Sequence, residues 1–176
     1  MVPNVFLNET TARGSVYSSV MENSSYKVLA EGEGLHLQSG PGRDLIFKTT
    51  GEDTNGAFDY FVVEVAPHGG PPLHVHHKQE ETIHVLRGTY KVRIGEEMFR
   101  LEPGGFAYLP SKVPHAFRNL TDAPGEIIVV YTPGGGHKFY EELGPASRGE
   151  SPDRKLIAEI FERHGMTLLG PQLTLD

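Results

Sequence analysis

The sequence has no cysteine and no tryptophan among its 176 residues. Without cysteine there is no disulfide, no thiolate-held zinc and no thiol nucleophile. Positive charge is also scarce: 16 Lys and Arg stand against 23 Asp and Glu, a net charge of -7, and no basic run exceeds the pair Arg154 and Lys155. Nucleic acid and anionic membrane surfaces are therefore not expected as partners. No apolar run approaches the ~20 residues that a membrane-spanning helix needs. The opening MVPNVFLNETTARG has no charged segment leading into an apolar one, so a soluble, cytoplasmic protein is expected. Three Asn-x-Ser/Thr sequons, at Asn8, Asn23 and Asn119, are read as chance. A chain of this length most simply forms one domain.

What is present is a rhythm of short extended segments. Residues 1–25 are rich in Ser, Thr and Asn without any period and read as an N-terminal arm. From Tyr26 to about residue 132, runs such as Lys27 to Ala30, Leu35 to Gln38, Leu45 to Thr49 and Phe58 to Ala66 alternate with Gly- and Pro-rich punctuation. Such spacing predicts an antiparallel β sandwich or barrel. Residues 133–176 read as a helical extension: HKFYEELG is one short helix, and Leu156, Ile157, Ile160 and Phe161 recur at helical spacing between a Ser151-Pro152-Asp153 start and a Gly165 cap.

The most informative stretch is GGPPLHVHHKQEETIHVLRG, Gly69 to Gly88. His74 and His76 are two residues apart, which puts both imidazoles on one face of a strand. Glu81 lies five residues after His76, so a turn within HHKQ is needed before its carboxylate can reach the same point. With that turn, Glu81, Ile83 and Val85 form the inward face of the next strand. A further imidazole, His115, opens a short extended run after Pro110 and Pro114 in GGFAYLPSKVPHAFRN. Three neutral imidazoles and one carboxylate suit a first-row divalent metal.

These two stretches resemble the two sequence motifs of the cupin family. His74, His76, Glu81 and Gly88 meet the first motif, with Gly69 as its leading glycine one residue closer than usual. Gly104, Pro110, His115 and Asn119 meet the second, in which Lys112 replaces a glycine. The chain looks most like small single-domain bacterial cupins described as quercetin dioxygenase-like. That resemblance implies an all-β fold, the double-stranded β-helix or jelly-roll barrel, with short C-terminal helices appended. It also selects Glu81 over Glu80 as the acidic ligand, completing the set His74, His76, Glu81 and His115. The expected cofactor is one divalent transition metal: Fe, Mn, Ni, Co, Cu or Zn.

The resemblance further implies a metal-dependent dioxygenase for a small aromatic or enolic, flavonol-like substrate, with Glu81 as the catalytic base. A non-catalytic ligand- or metal-binding cupin, or a cupin isomerase or lyase, is the alternative, since one scaffold hosts many chemistries. Phe58, Tyr60, Phe106 and Tyr108 are candidate pocket-lining residues. Lys91, Arg93 and Arg100 alternate with apolar neighbours and should face solvent, leaving the interior without an evident anion clamp. His36, His68, His77, His84, His137 and His164 are read as surface or core residues rather than ligands. Strands apolar on both faces, Phe58 to Ala66 and Glu126 to Tyr131, predict a homodimer.

Overall fold

The structure, a computed structural model, describes residues 26–40, 43–148 and 152–176. The expected arm over residues 1–25, and Ser151 of the expected helix start, lie outside the described residues. In chain order come β1 (Leu35–Gln38), β2 (Arg43–Thr49), β3 (Asp59–Val65), β4 (Pro72–His76), β5 (Glu80–Arg87), β6 (Tyr90–Ile94), β7 (Glu97–Leu101), β8 (Phe106–Leu109), β9 (His115–Asn119), β10 (Gly125–Thr132), α1 (His137–Ala146), α2 (Arg154–Arg163) and β11 (Met166–Gln172). Two antiparallel sheets face each other, with strand orders β1-β2-β3-β10-β5-β8 and β11-β4-β9-β6-β7. This is the expected jelly-roll arrangement. Lys27 to Ala30, however, form no strand; the ladder begins at Leu35.

Each sheet buries alternate residues, as period-2 geometry requires. In β3, Asp59, Phe61, Val63 and Val65 are buried while Tyr60, Val62 and Glu64 are not. In β5, Glu81, Ile83 and Val85 point inward as the sequence predicts. The core between the sheets is built from Leu45, Phe47, Phe61, Ile83, Val92, Ile127, Val129 and neighbours. Phe47 and Phe61 stack at 4.3 Å between ring centroids.

The two helices form where their patterns place them. Asp153 caps α2 by accepting from the backbone N–H groups of Lys155 and Leu156. Gly165, at φ +70°, follows its end in the left-handed conformation that glycine allows. A second small core of Phe139, Leu143, Ile160, Phe161 and Met166 joins α1, α2 and β11. The chain does not end on helices, because β11 follows α2 and pairs with β4. That pairing sets Met166 opposite His76 and Leu168 opposite His74. TLLGPQ has no clean alternation, with glycine and proline inside it, which hides the strand from a pattern reading.

Candidate metal centre

His74 and His76 come from β4 in one sheet, His115 from β9 beside it, and Glu81 from β5 in the facing sheet. His77, Lys78 and Gln79 carry the chain from one sheet to the other, which is the turn that the odd spacing requires. His74 and His115 are direct cross-strand partners. Gly70 makes this approach possible: a Cβ there would lie 2.0 Å from the Phe117 carbonyl oxygen. Its neighbour Gly69, the motif glycine, uses its carbonyl to accept from the Asn119 N–H at 2.8 Å.

One ligand atom from each of the four side chains falls within 4.8 Å of all the others, and all four residues are buried. His74 Nε2 lies 3.1 Å from His76 Nε2. The Glu81 Oε2 atom lies 3.3 Å from His115 Nε2 and 3.7 Å from His76 Nε2. The Nδ1 atom of His74 donates to the Pro72 carbonyl, and that of His115 to the Val113 carbonyl, each at 2.9 Å. Those carbonyls only accept, so they fix the tautomer and turn the Nε2 lone pairs toward the centre. Glu81 Oε2 and His115 Nε2 have no hydrogen-bond partner although both are buried. Acceptors converging without a donor fit a cation.

Electrostatics agree with that fit. Burial, reinforced by the charges of His115 and His76, holds His74 well below the usual imidazole range. Burial likewise pushes His76 down to about 4 against the pull of Glu81. Both rings are therefore neutral near pH 7, the form that binds metal. At His115, burial opposes the charged form, but the Glu81 carboxylate 3.3 Å away outweighs it and raises the pKa. Positive charge is thus favoured at this point among the ligands.

A cavity of about 30 Å³ adjoins the cluster, bounded by Arg43, Phe61, His74, Glu81, Phe117, Tyr131 and Tyr140 among others. The Tyr131 and Tyr140 hydroxyls are 2.7 Å apart, and burial raises both pKa values, so both phenols stay protonated. Helix α1 supplies Tyr140, and Phe161 of α2 sets its ring edge against His74 with centroids 6.1 Å apart. The helices therefore close the barrel beside the site.

Two expectations need correction. The cavity does contain a cation: Arg43 shares the inward parity of Leu45 and Phe47, because β2 starts two residues before its apolar run. Phe106 and Tyr108 alternate with buried Ala107 and Leu109 and are exposed on the outer face of β8. Tyr60 alternates with buried Asp59 and Phe61, and Phe58 is exposed before β3 begins, so none of the four lines this cavity. Sequence reading missed Arg43, Tyr131 and Tyr140. Inward parity was the available signal for Arg43 and Tyr131. Glu80 lies on the other face of β5 from Glu81, where it raises the pKa of Tyr108.

Residues 61–131 match the family model described as a cupin domain. The chain carries a cupin domain. An uncharacterized protein of Methanocaldococcus jannaschii is 31% identical over 71 residues, which cover 40% of this cupin chain and 57% of that relative. The match thus spans little more than half of the relative's length. An RmlC-like cupin from Shewanella frigidimarina aligns with a TM-score of 0.56 and 16% identity over 67% of this chain and 99% of that one. The polyketide cyclase RemF from Streptomyces resistomycificus aligns with a TM-score of 0.52 and 20% identity over 61% and 79%. Both likenesses show the cupin fold. The buried His74, His76, Glu81 and His115 group of this cupin could hold one metal ion.

Proposed function

We propose that this cupin is a metal-dependent dioxygenase for a small enolic substrate that chelates through oxygen. The observation that carries this reading is the convergence of four buried ligand atoms beside a cavity with polar groups on its wall. A bound divalent transition ion would supply Lewis acidity and, if redox-active, an electron path between substrate and dioxygen. The imidazoles of His74, His76 and His115 would hold that ion. Glu81 keeps a carboxylate oxygen free of hydrogen bonds, positioned to accept the proton of an enol hydroxyl. Tyr131 and Tyr140 have two hydroxyl hydrogens and use one between them, leaving the other to donate toward a ligand.

The cavity bounds the substrate. About 30 Å³ is far below the ~300 Å³ and more of pockets that enclose drug-sized ligands. That favours a substrate of a few heavy atoms over a three-ring flavonol. Solved cupins as different as a polyketide cyclase share the fold, so the choice of reaction rests on this site alone.

The deciding experiment combines metal analysis with oxygen uptake for wild type and Glu81→Gln, both saturated with the same metal. Glutamine preserves shape and one oxygen but cannot take a proton. Wild type should consume oxygen with a small enolic substrate, and the variant should lose on the order of 100-fold in rate per bound metal. Equal rates per metal would remove Glu81 as the base. Substrate turnover without oxygen uptake would assign an isomerase or lyase, and metal or ligand binding without any turnover a binding module.

A further inference from the structure

We propose that Arg43 is the anion-binding residue of this site, so that the substrate carries a carboxylate besides the oxygens that face the metal ligands. The inference rests on the reading of the four-residue cluster as the reacting centre and adds the substrate's charge to it. Arg43 stands on the same inward row as Leu45 and Phe47 and lines the cavity with His74, Glu81, Tyr131 and Tyr140.

The guanidinium has five N–H donors. Among the described residues one bond is made, from Nη2 to the Ser39 carbonyl at 2.6 Å. Arg87, Arg93, Arg100 and Arg163 each pair with a carboxylate, whereas Arg43 forms no ion pair among the described residues. A cation turned into a protein interior without a counterion is costly, and doubly so beside a site that would hold a metal cation. A ligand carboxylate resolves both costs, and the planar guanidinium fork matches its two oxygens. The protonated Tyr131 and Tyr140 pair provides a further donor on the same wall. The competing role is a hairpin clamp, since Ser39 also donates its N–H to the Arg43 carbonyl at 3.2 Å.

The test uses malonate and its neutral diamide, malonamide, as probes. Binding to Co2+-loaded protein is read from the visible spectrum of the metal, and Co2+ affinity is titrated separately for wild type, Arg43→Gln and Arg43→Lys. Wild type should prefer malonate. Arg43→Gln should weaken malonate on the order of tenfold to a hundredfold, leave malonamide unchanged and retain Co2+; Arg43→Lys, with charge but no fork, should fall between. A second measurement needs no metal: the Arg43 Nε–H resonance of metal-free wild type, identified by its loss in Arg43→Lys, should shift with malonate and not with malonamide. Equal malonate affinity in wild type and Arg43→Gln, or an Arg43 resonance indifferent to malonate, overturns the anion site and leaves the metal reading intact. Failure to bind Co2+ while the Arg43 resonance still responds removes the metal reading and keeps the anion site.

Discussion

At the residue scale, two positions show how local chemistry serves the site. Lys112 replaces a motif glycine and has φ +66°, a left-handed conformation, while its N–H donates to the His76 carbonyl at 2.7 Å. A left-handed conformation costs a side-chain-bearing residue ~1–2 kcal/mol, partly offset by the entropy that glycine loses on folding. Lys112→Gly should therefore raise stability by about 0.5–1 kcal/mol, checked as a rise of a few degrees in Tm. Asp59 is the second position. It is fully buried, and its carboxylate accepts from the N–H groups of Gly51, Gly135 and Gly136 at 2.6–3.0 Å. That ties two loops to the start of α1, and Gly136 has no room for a Cβ, which would lie 2.4 Å from the Tyr131 ring. Asp59→Ala should cost about 3 kcal/mol or more in urea unfolding, Asp59→Asn less, because hydrogen bonds to a buried charge are among the strong ones.

At the element scale, β4 depends on β11. β4 has one direct partner pair with β9, His74 with His115, while β11 sets four residues opposite it, and Gly165 just before β11 accepts the His77 N–H at 2.8 Å. Deleting residues 166–176 should leave an open edge on the strand that holds two ligands. We expect metal affinity to fall on the order of tenfold to a hundredfold, measured by competition with a chelator, and the truncated protein to associate through that edge. Strand parity made part of the ligand set legible in sequence, and the resemblance to the cupin motifs supplied the choice of Glu81 over Glu80. His74 and His76 share a face, and the odd step to Glu81 demands the change of sheet that residues 77–79 make. β11 was not legible because its meaning lies in a partner some ninety positions earlier, and its own residues alternate poorly. The cavity-lining aromatics were misplaced for a related reason. Phe106 and Tyr108 are large and apolar, but Ala107 and Leu109 take the inward row.

At the scale of the whole molecule, no described helix is long and apolar enough to cross a membrane. The outer face of the six-stranded sheet is apolar for its position. Ile46, Val62, Ile128 and Val130 are half-buried on it, and Phe106 and Tyr108 are 59% and 48% exposed. We expect a second copy of the chain to cover this face. Light scattering at micromolar concentration should give twice the 19.4 kDa chain mass, and Phe106→Asp should halve it; a wild-type monomer would remove that role. The double-sheet plan also gives the protein a history. Since β11 follows every other strand in the chain, a growing polypeptide has all four candidate ligands long before it has the main backbone partner of β4. During synthesis the ligand strand must wait with an unpaired edge, and the centre reaches its final shape only after α1 and α2 have been made. A metal ion that arrived earlier would meet a half-built cradle, so loading in the cell is expected to follow synthesis of the C-terminal strand rather than guide the first folding steps.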